Sequence, residues 1–151
     1  MEQFISFLKK AKNNTYASNT AIKVASTRLG SKDYEYSDGE WVYHDTYFGG
    51  LYFIGEEVVY YQNKPFWAMN YNGFTLDKSL TESEIDKSLR GALSQEVTDI
   101  IPVRGPNEYK IENLVYKNNV KGDIDRFEGR EEIYKDSNLV YYAIYHGGLI
   151  K

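Results

Sequence analysis

The sequence predicts an α+β fold: two pseudo-repeated antiparallel β-meanders forming one large curved sheet or a partly closed barrel, with an N-terminal helix and one helix between the repeats. Three observations carry this. From Asp45 to Gly73, aromatic and β-branched residues alternate in strand-length runs broken by glycine and asparagine. A weaker copy closes the chain: Phe53, Gly55, Glu57, Tyr60, Tyr71 and Gly73 recur 74 residues later as Phe127, Gly129, Glu131, Tyr134, Tyr145 and Gly147. Between the copies lies a segment with helical period and its own cap.

Taken in order, Phe4, Ile5, Leu8 and Ala11 recur at helical spacing and Asn13-Asn14 stops the pattern, which predicts a short amphipathic helix over residues 2–12. Thr15 to Asp38 keeps no period and reads as a long loop. Asp38-Gly39 turns into a strand over 40–47 that carries Trp41, Tyr43, Asp45 and Tyr47 on one face. An acid among three aromatics is costly there unless it has a partner. Gly49-Gly50, Gly55, Asn63-Lys64-Pro65 and Asn72-Gly73 read as turns between the runs 51–54, 58–61 and 66–71.

Thr81 and Glu84 form a capping box, and Leu80 with Ile85 a hydrophobic staple, at the start of a helix over 82–96 whose apolar face is Ile85, Leu89, Leu93 and Val97. Pro102, Gly105 and Pro106 restrict 100–106 to an extended run. The second meander runs from Tyr109 to Tyr145 and ends at His146-Gly147-Gly148. One domain over 1–151 is expected, with the repeats at about 41–74 and 112–148.

The 151 residues contain no cysteine, which rules out disulfides and thiolate metal sites and fits a reducing cytoplasm. Phe4 to Leu8 is the longest apolar stretch near the N-terminus and Lys9-Lys10 cuts it off, so neither a signal peptide nor a membrane span is expected. With 18 basic and 22 acidic residues mixed along the chain, no basic stripe invites duplex nucleic acid.

Many short motifs fall in one order: Thr15-Tyr-Ala, Arg28, Gly30-Ser-Lys-Asp33, Asp45-Thr-Tyr-Phe-Gly-Gly50, Phe53-x-Gly-x-Glu57, Lys64-Pro-x-Trp-x-Met-Asn-Tyr71, Pro102-Val-Arg-Gly-Pro106, Phe127-x-Gly-x-Glu131 and His146-Gly-Gly148. In these the chain resembles a domain of unknown function that is often fused behind the XRE-type helix-turn-helix of Firmicute regulators. That domain also occurs alone in bacteria and phages. The resemblance implies a ligand or partner sensor without its DNA reader, and a host-cytoplasmic location if the chain is phage-encoded; it transfers no chemistry.

Catalytic patterns are sparse. His44-Asp45 suggests a metal phosphohydrolase, yet His146 is the one other histidine, so no nitrogen or sulfur metal cluster is expected. No Gly-x-Ser-x-Gly elbow, phosphate loop or dinucleotide motif occurs. Asp45 with Glu57 leaves a carboxylate hydrolase open, with or without magnesium. Glu57 and Glu131 read either as a glycosidase pair or as partners of an arginine.

The 15 tyrosines, 7 phenylalanines and 2 tryptophans favour a binding module for a small anionic, ring-bearing, nucleotide-like molecule, such as a phage sponge sequestering an immune signal. In this reading Tyr16, Tyr47, Trp67 and Tyr71 stack, Arg28 and Arg104 hold the anion, and Asp45 or Asn70 bonds hydroxyl or amide groups. Asp33, Glu57 and His146 complete the candidate set, with no cofactor. The alternatives are a hydrolase of the same ligand and a protein-interaction domain exposing its aromatics. A homodimer is compatible with each.

Overall fold

A computed structural model describes residues 1–17, 21, 23–98 and 101–151. Parts of the predicted loop 15–38 (residues 18–20 and 22) and the first residue of the extended run 100–106 lie outside the described residues. The elements are α1 (Glu2–Asn14), β1 (Lys23–Val24), β2 (Lys32–Asp38), β3 (Trp41–Gly49), β4 (Tyr52–Tyr61), β5 (Lys64–Thr75), α2 (Glu82–Leu93), β6 (Glu108–Ile111), β7 (Leu114–Asp123), β8 (Arg126–Lys135) and β9 (Asn138–Leu149). The strands form one open nine-stranded antiparallel sheet in the order β1-β2-β3-β4-β5-β9-β8-β7-β6. It is a large sheet and not a closed barrel.

The register makes the two halves near-copies. Tyr71 pairs with Gly55 and Tyr145 with Gly129, and Tyr71 and Tyr145 face each other across the central β5–β9 pair. Both outer pairs shift register at matching places, Val59/Tyr60 and Ile133/Tyr134. Both also turn on two residues of positive φ, Gln62-Asn63 and Asp136-Ser137. A local two-fold axis therefore passes between Tyr71 and Tyr145.

Three sequence expectations are corrected here. The aperiodic stretch 15–38 contains β1 and β2: Lys32-Asp-Tyr-Glu-Tyr alternates, and Asp33, on the face away from the helices, is buried by hydrogen bonding. Gly55 is no turn but the middle of β4, where a Cβ would overlap the ring of Tyr71; Gly129 sits likewise beneath Tyr145. Asn72-Gly73 lies inside β5 for a similar reason, since the Phe53 ring covers Gly73.

Both helices pack on one face of the sheet. Phe4, Phe7, Leu8 and Ala11 of α1 cover Tyr43, Val59, Trp67 and Met69, while Ile85, Leu89 and Ala92 of α2 cover Tyr116, Ile133 and Tyr141. The capping box of Thr81 and Glu84 is formed as its spacing predicts. No described helix lies on the other face, where Ile54 and Ile144 are exposed. No helix among the described residues is long and apolar enough to cross a membrane.

The hairpins β3–β4 and β7–β8 begin at glycines that need left-handed backbone, Gly49 (φ 93°) and Gly122 (φ 90°), whose added Cβ would strike the carbonyl oxygens of Tyr52 and Arg126. Gly49→Ala is expected to destabilise by roughly 1–3 kcal/mol. Gly39 has φ 61° with nothing within 4 Å, so Gly39→Ala should cost only about 1 kcal/mol. Urea denaturation of the two variants checks the order.

Candidate functional site

The local two-fold places an acid at the same position in each half and then treats the two differently. In the second half Tyr145 Oη donates to Asn118 Oδ1 at 2.7 Å, and Glu131 lies beside Asn118 across the β7–β8 pair. In the first half Tyr71 Oη donates to Asp45 Oδ1 at 2.6 Å, and Glu57 lies beside Asp45 across the β3–β4 pair. Asp45 thus stands where the other half has a neutral amide.

Glu131 is fully buried and saturated. Arg104 grips it with both Nε (3.0 Å) and Nη2 (2.6 Å), and the hydroxyls of Tyr116 (2.8 Å) and Tyr141 (3.0 Å) donate to the same carboxylate. The loop that carries Arg104 is pinned to the second half: Gly105 N–H donates to Tyr116 Oη, and Asn118 Nδ2 donates to the Gly105 carbonyl. Arg104 Nη1 also reaches to 4.0 Å from Glu57. Lys12, at the end of α1, donates to Glu57 Oε2 at 2.6 Å and to the Val103 carbonyl at 2.7 Å.

Two buried cations are thereby matched to two buried carboxylates, Lys12 to Glu57 and Arg104 to Glu131. Asp45, 2 % exposed, is left with the Tyr71 hydroxyl and no ion pair among the described residues. Burial, and then the charge on Glu57, push its carboxyl up to about 7, against the pull of the Tyr71 hydrogen bond, Lys12 and Arg104. Burial pushes Lys12 down; Arg104 is held up because Glu131 outweighs its burial. Tyr43 and Tyr71 are pushed well up by burial, so both keep their protons.

Asp45 opens onto a narrow slot of about 40 Å³ between α1, α2 and the first half of the sheet. Its walls are the rings of Tyr16, Tyr43, Tyr47, Phe53 and Tyr71, and Gly50, Glu82 and Asp86 stand at its mouth. Ala17, Glu82 and Asp86 also border a groove of about 640 Å³ that runs on along α2 past Ser83, Arg90 and Ser94. The void alone admits a group of a few atoms, since one water needs roughly 10–15 Å³ by the same measure. Slot and groove together reach the size of a ligand site.

Of the eleven predicted residues, Tyr16, Asp45, Tyr47, Glu57, Tyr71 and Arg104 converge on this slot. Five do not. Trp67 is 0 % exposed and belongs to the core: its ring stacks on Phe127 and its Nε1–H donates to the Ile124 carbonyl at 3.1 Å, so no face is left for a ligand. Arg28 lies with His44, Thr46 and Glu56, its side chain 60 % exposed and 3.5 Å from Glu56. Arg28 and Arg104 therefore do not form one anion cradle, and Arg104 is already occupied by carboxylate.

Asp33 is a structural acid. Ser31, Thr27 and Thr46 donate to it at 2.5, 2.6 and 2.7 Å, and His44 Nε2 lies 2.8 Å away. Although burial works to raise it, these hydrogen bonds hold it well below the usual carboxylate range. Asn70 and His146 pair across β5–β9 and line a broad trough of about 1010 Å³, together with the exposed Ile54 and Ile144 and the half-buried Asn72 of the helix-free face.

Lys12, Glu82 and Asp86 were not singled out by sequence. Lys12 has the pattern of one of several helix lysines, Glu82 that of an ordinary first-turn acid and Asp86 that of a polar-face residue of α2. Tyr43 had a signal, its place on the Asp45 face of β3. Among the described residues no group of three or more His, Cys, Asp and Glu is arranged to hold a metal ion.

A family model described as Domain of unknown function (DUF5680) matches residues 45–150. The match starts at Asp45 and takes in Glu57, Tyr71, Arg104 and Glu131, while Lys12 and Tyr16 of the α1 segment precede it. No curated protein and no solved structure matches the chain.

Proposed function

The chain belongs to the DUF5680 family of unknown function, and from the geometry of its slot we propose that it is a small-molecule-binding module that encloses the polar tip of its ligand against Asp45. The single observation that carries this is a buried acid, Asp45, at the position where the other half carries the amide Asn118. Where the second half has Asn118 and a saturated Glu131, the first half has a carboxyl with one hydrogen bond and open space before it. A buried carboxyl left short of partners is costly, and such cost is retained where a ligand completes the shell.

The aromatic walls accept a flat or slender group, and the rest of a larger ligand lies in the groove along α2. A nucleotide-sized molecule would be enclosed only at its tip. Recognition rests on hydrogen bonds to Asp45 rather than on arginine, because Arg104 is satisfied by Glu131 and Arg28 stands with Glu56. Capture of this kind suits a sensor, or sequestration of a small signal, as the fusion of similar domains to helix-turn-helix readers would need.

A fragment panel followed by side-chain NMR tests the site. Binders should perturb the rings of Tyr16, Tyr47 and Phe53. If every binder perturbs only the Ile54 and Ile144 methyls, function lies on the helix-free face and the slot is structural. One observation favours a second reading: a carboxyl held near 7 beside an ion-paired glutamate is suited to general acid catalysis. Ligand recovered intact after denaturation supports capture, and recovered product supports turnover.

A further inference from the structure

The slot's chemistry selects among ligand classes, and this step rests on the binding reading above. Inside it, the charges of Lys12 and Arg104 are balanced by Glu57 and Glu131. Asp45 alone adds a negative charge without a cation. Its Oδ1 accepts from Tyr71, and no described residue bonds its other oxygen, although the side chain is almost wholly buried. The mouth adds Glu82 and Asp86, whose cations Lys32 and Arg90 stand at 3.9 and 4.0 Å, the outer limit of an ion pair. An entering anion would meet three carboxylates and no uncommitted guanidinium.

The walls narrow the choice further. A hard metal ion asks for six or more oxygen ligands, which a lining dominated by tyrosine and phenylalanine rings does not supply. Rings present a negative π-face to a cation and hydrocarbon to a methylene stem. Three of the slot's rings already have a cation at one face: Arg90 lies 5.0 Å from the Tyr16 centroid, Lys32 5.4 Å from Tyr47 and Arg104 5.6 Å from Tyr71. A slot of about 40 Å³ has room for an ammonium and its first methylenes but not for a large head.

We propose that the slot takes the ammonium end of a linear primary amine, with Asp45 as its counter-ion, Tyr16, Tyr47 and Phe53 around its stem, and the remainder of the molecule in the groove along α2. The ammonium donates to the uncommitted oxygen of Asp45 and gives it the cation that Lys12 and Arg104 already give to Glu57 and Glu131. No covalent change is involved.

The test uses n-butylamine, n-butanol and butyrate on the intact chain, read by the ring resonances of Tyr16, Tyr47 and Phe53. Butylamine is expected to bind at least tenfold more tightly than butanol, with no saturable shift from butyrate. Asp45→Asn, which copies the amide of the second half and keeps the fold, should lose at least tenfold in amine affinity. Butanol or butyrate binding as tightly as the amine, or Asp45→Asn binding it unchanged, overturns the amine assignment. If butanol or butyrate moves the ring signals while butylamine does not, the slot remains a binding site for another class. If no probe moves them, the amine assignment falls, and fragments that move those rings would still carry the binding reading.

Discussion

Arg104→Leu is expected to cost about 3–5 kcal/mol of stability, because it strands a fully buried carboxylate. Glu131 would keep the hydroxyls of Tyr116 and Tyr141 and lose its charge partner together with two of its four hydrogen bonds. The same change loosens the segment around Val103, whose carbonyl anchors Lys12, so α1 is affected as well as β8. At roughly 2–4 °C per kcal/mol for a domain of this size, the melting temperature should fall by about 6–20 °C. The double variant Arg104→Leu/Glu131→Leu removes both charges and should recover much of the loss, since an apolar pair of similar size is often no worse than a buried ion pair. A single-variant loss below about 1 kcal/mol, or a double variant less stable than the single, would show that the pair does not hold the Arg104 segment on the sheet.

How much of this was legible in the sequence depends on which physical signal each feature leaves. The meanders and the capped α2 are written in local period and turn chemistry, and the 74-residue spacing relates Glu57 to Glu131 before any coordinates. Asp45 was visible as an acid among aromatics on one strand face. The division of work between the two sheet faces was not: Arg28 and Arg104 both sit near glycine in sequence, yet Arg28 stands with His44, Thr46 and Glu56 and Arg104 with Glu131. Gly55 looks like a turn because glycine's other use, admitting a tyrosine ring from the neighbouring strand, depends on a partner that local sequence does not name. β2 was hidden because only Tyr34 and Tyr36 mark its apolar face, too few positions to set a period beside Lys32 on the same face. Lys12 has no local signature, for its partner Glu57 lies 45 residues away.

Asp45→Asn should stabilise the ligand-free protein at pH 8 by roughly 1–4 kcal/mol, the larger figure being three pKa units at about 1.4 kcal/mol each. The sign follows from the direction of the shift. Asp45 rises from the ordinary 3.8 to about 7 on folding, so the folded chain holds a proton that the unfolded chain has released. Its contribution is complete below pH 4, drains away as the pH climbs to 7, and leaves an uncompensated buried charge above that. Facing it are Lys12 from α1 and Tyr16 just beyond that helix, Tyr34 from β2, Tyr43 and Tyr47 from β3, Glu57, Tyr71, Arg104, and at the mouth Glu82 and Asp86 from α2. Of these, Tyr71 bonds Asp45 directly, while Lys12 and Arg104 are committed to Glu57 and Glu131. Urea denaturation from pH 4 to 8 should show wild-type stability falling relative to Asp45→Asn, with the two alike near pH 4. Amine affinity should run the opposite way in the wild type, rising as Asp45 ionises while the ligand stays protonated. An equal slope in both proteins would assign the titration to another group and remove the electrostatic basis of the slot.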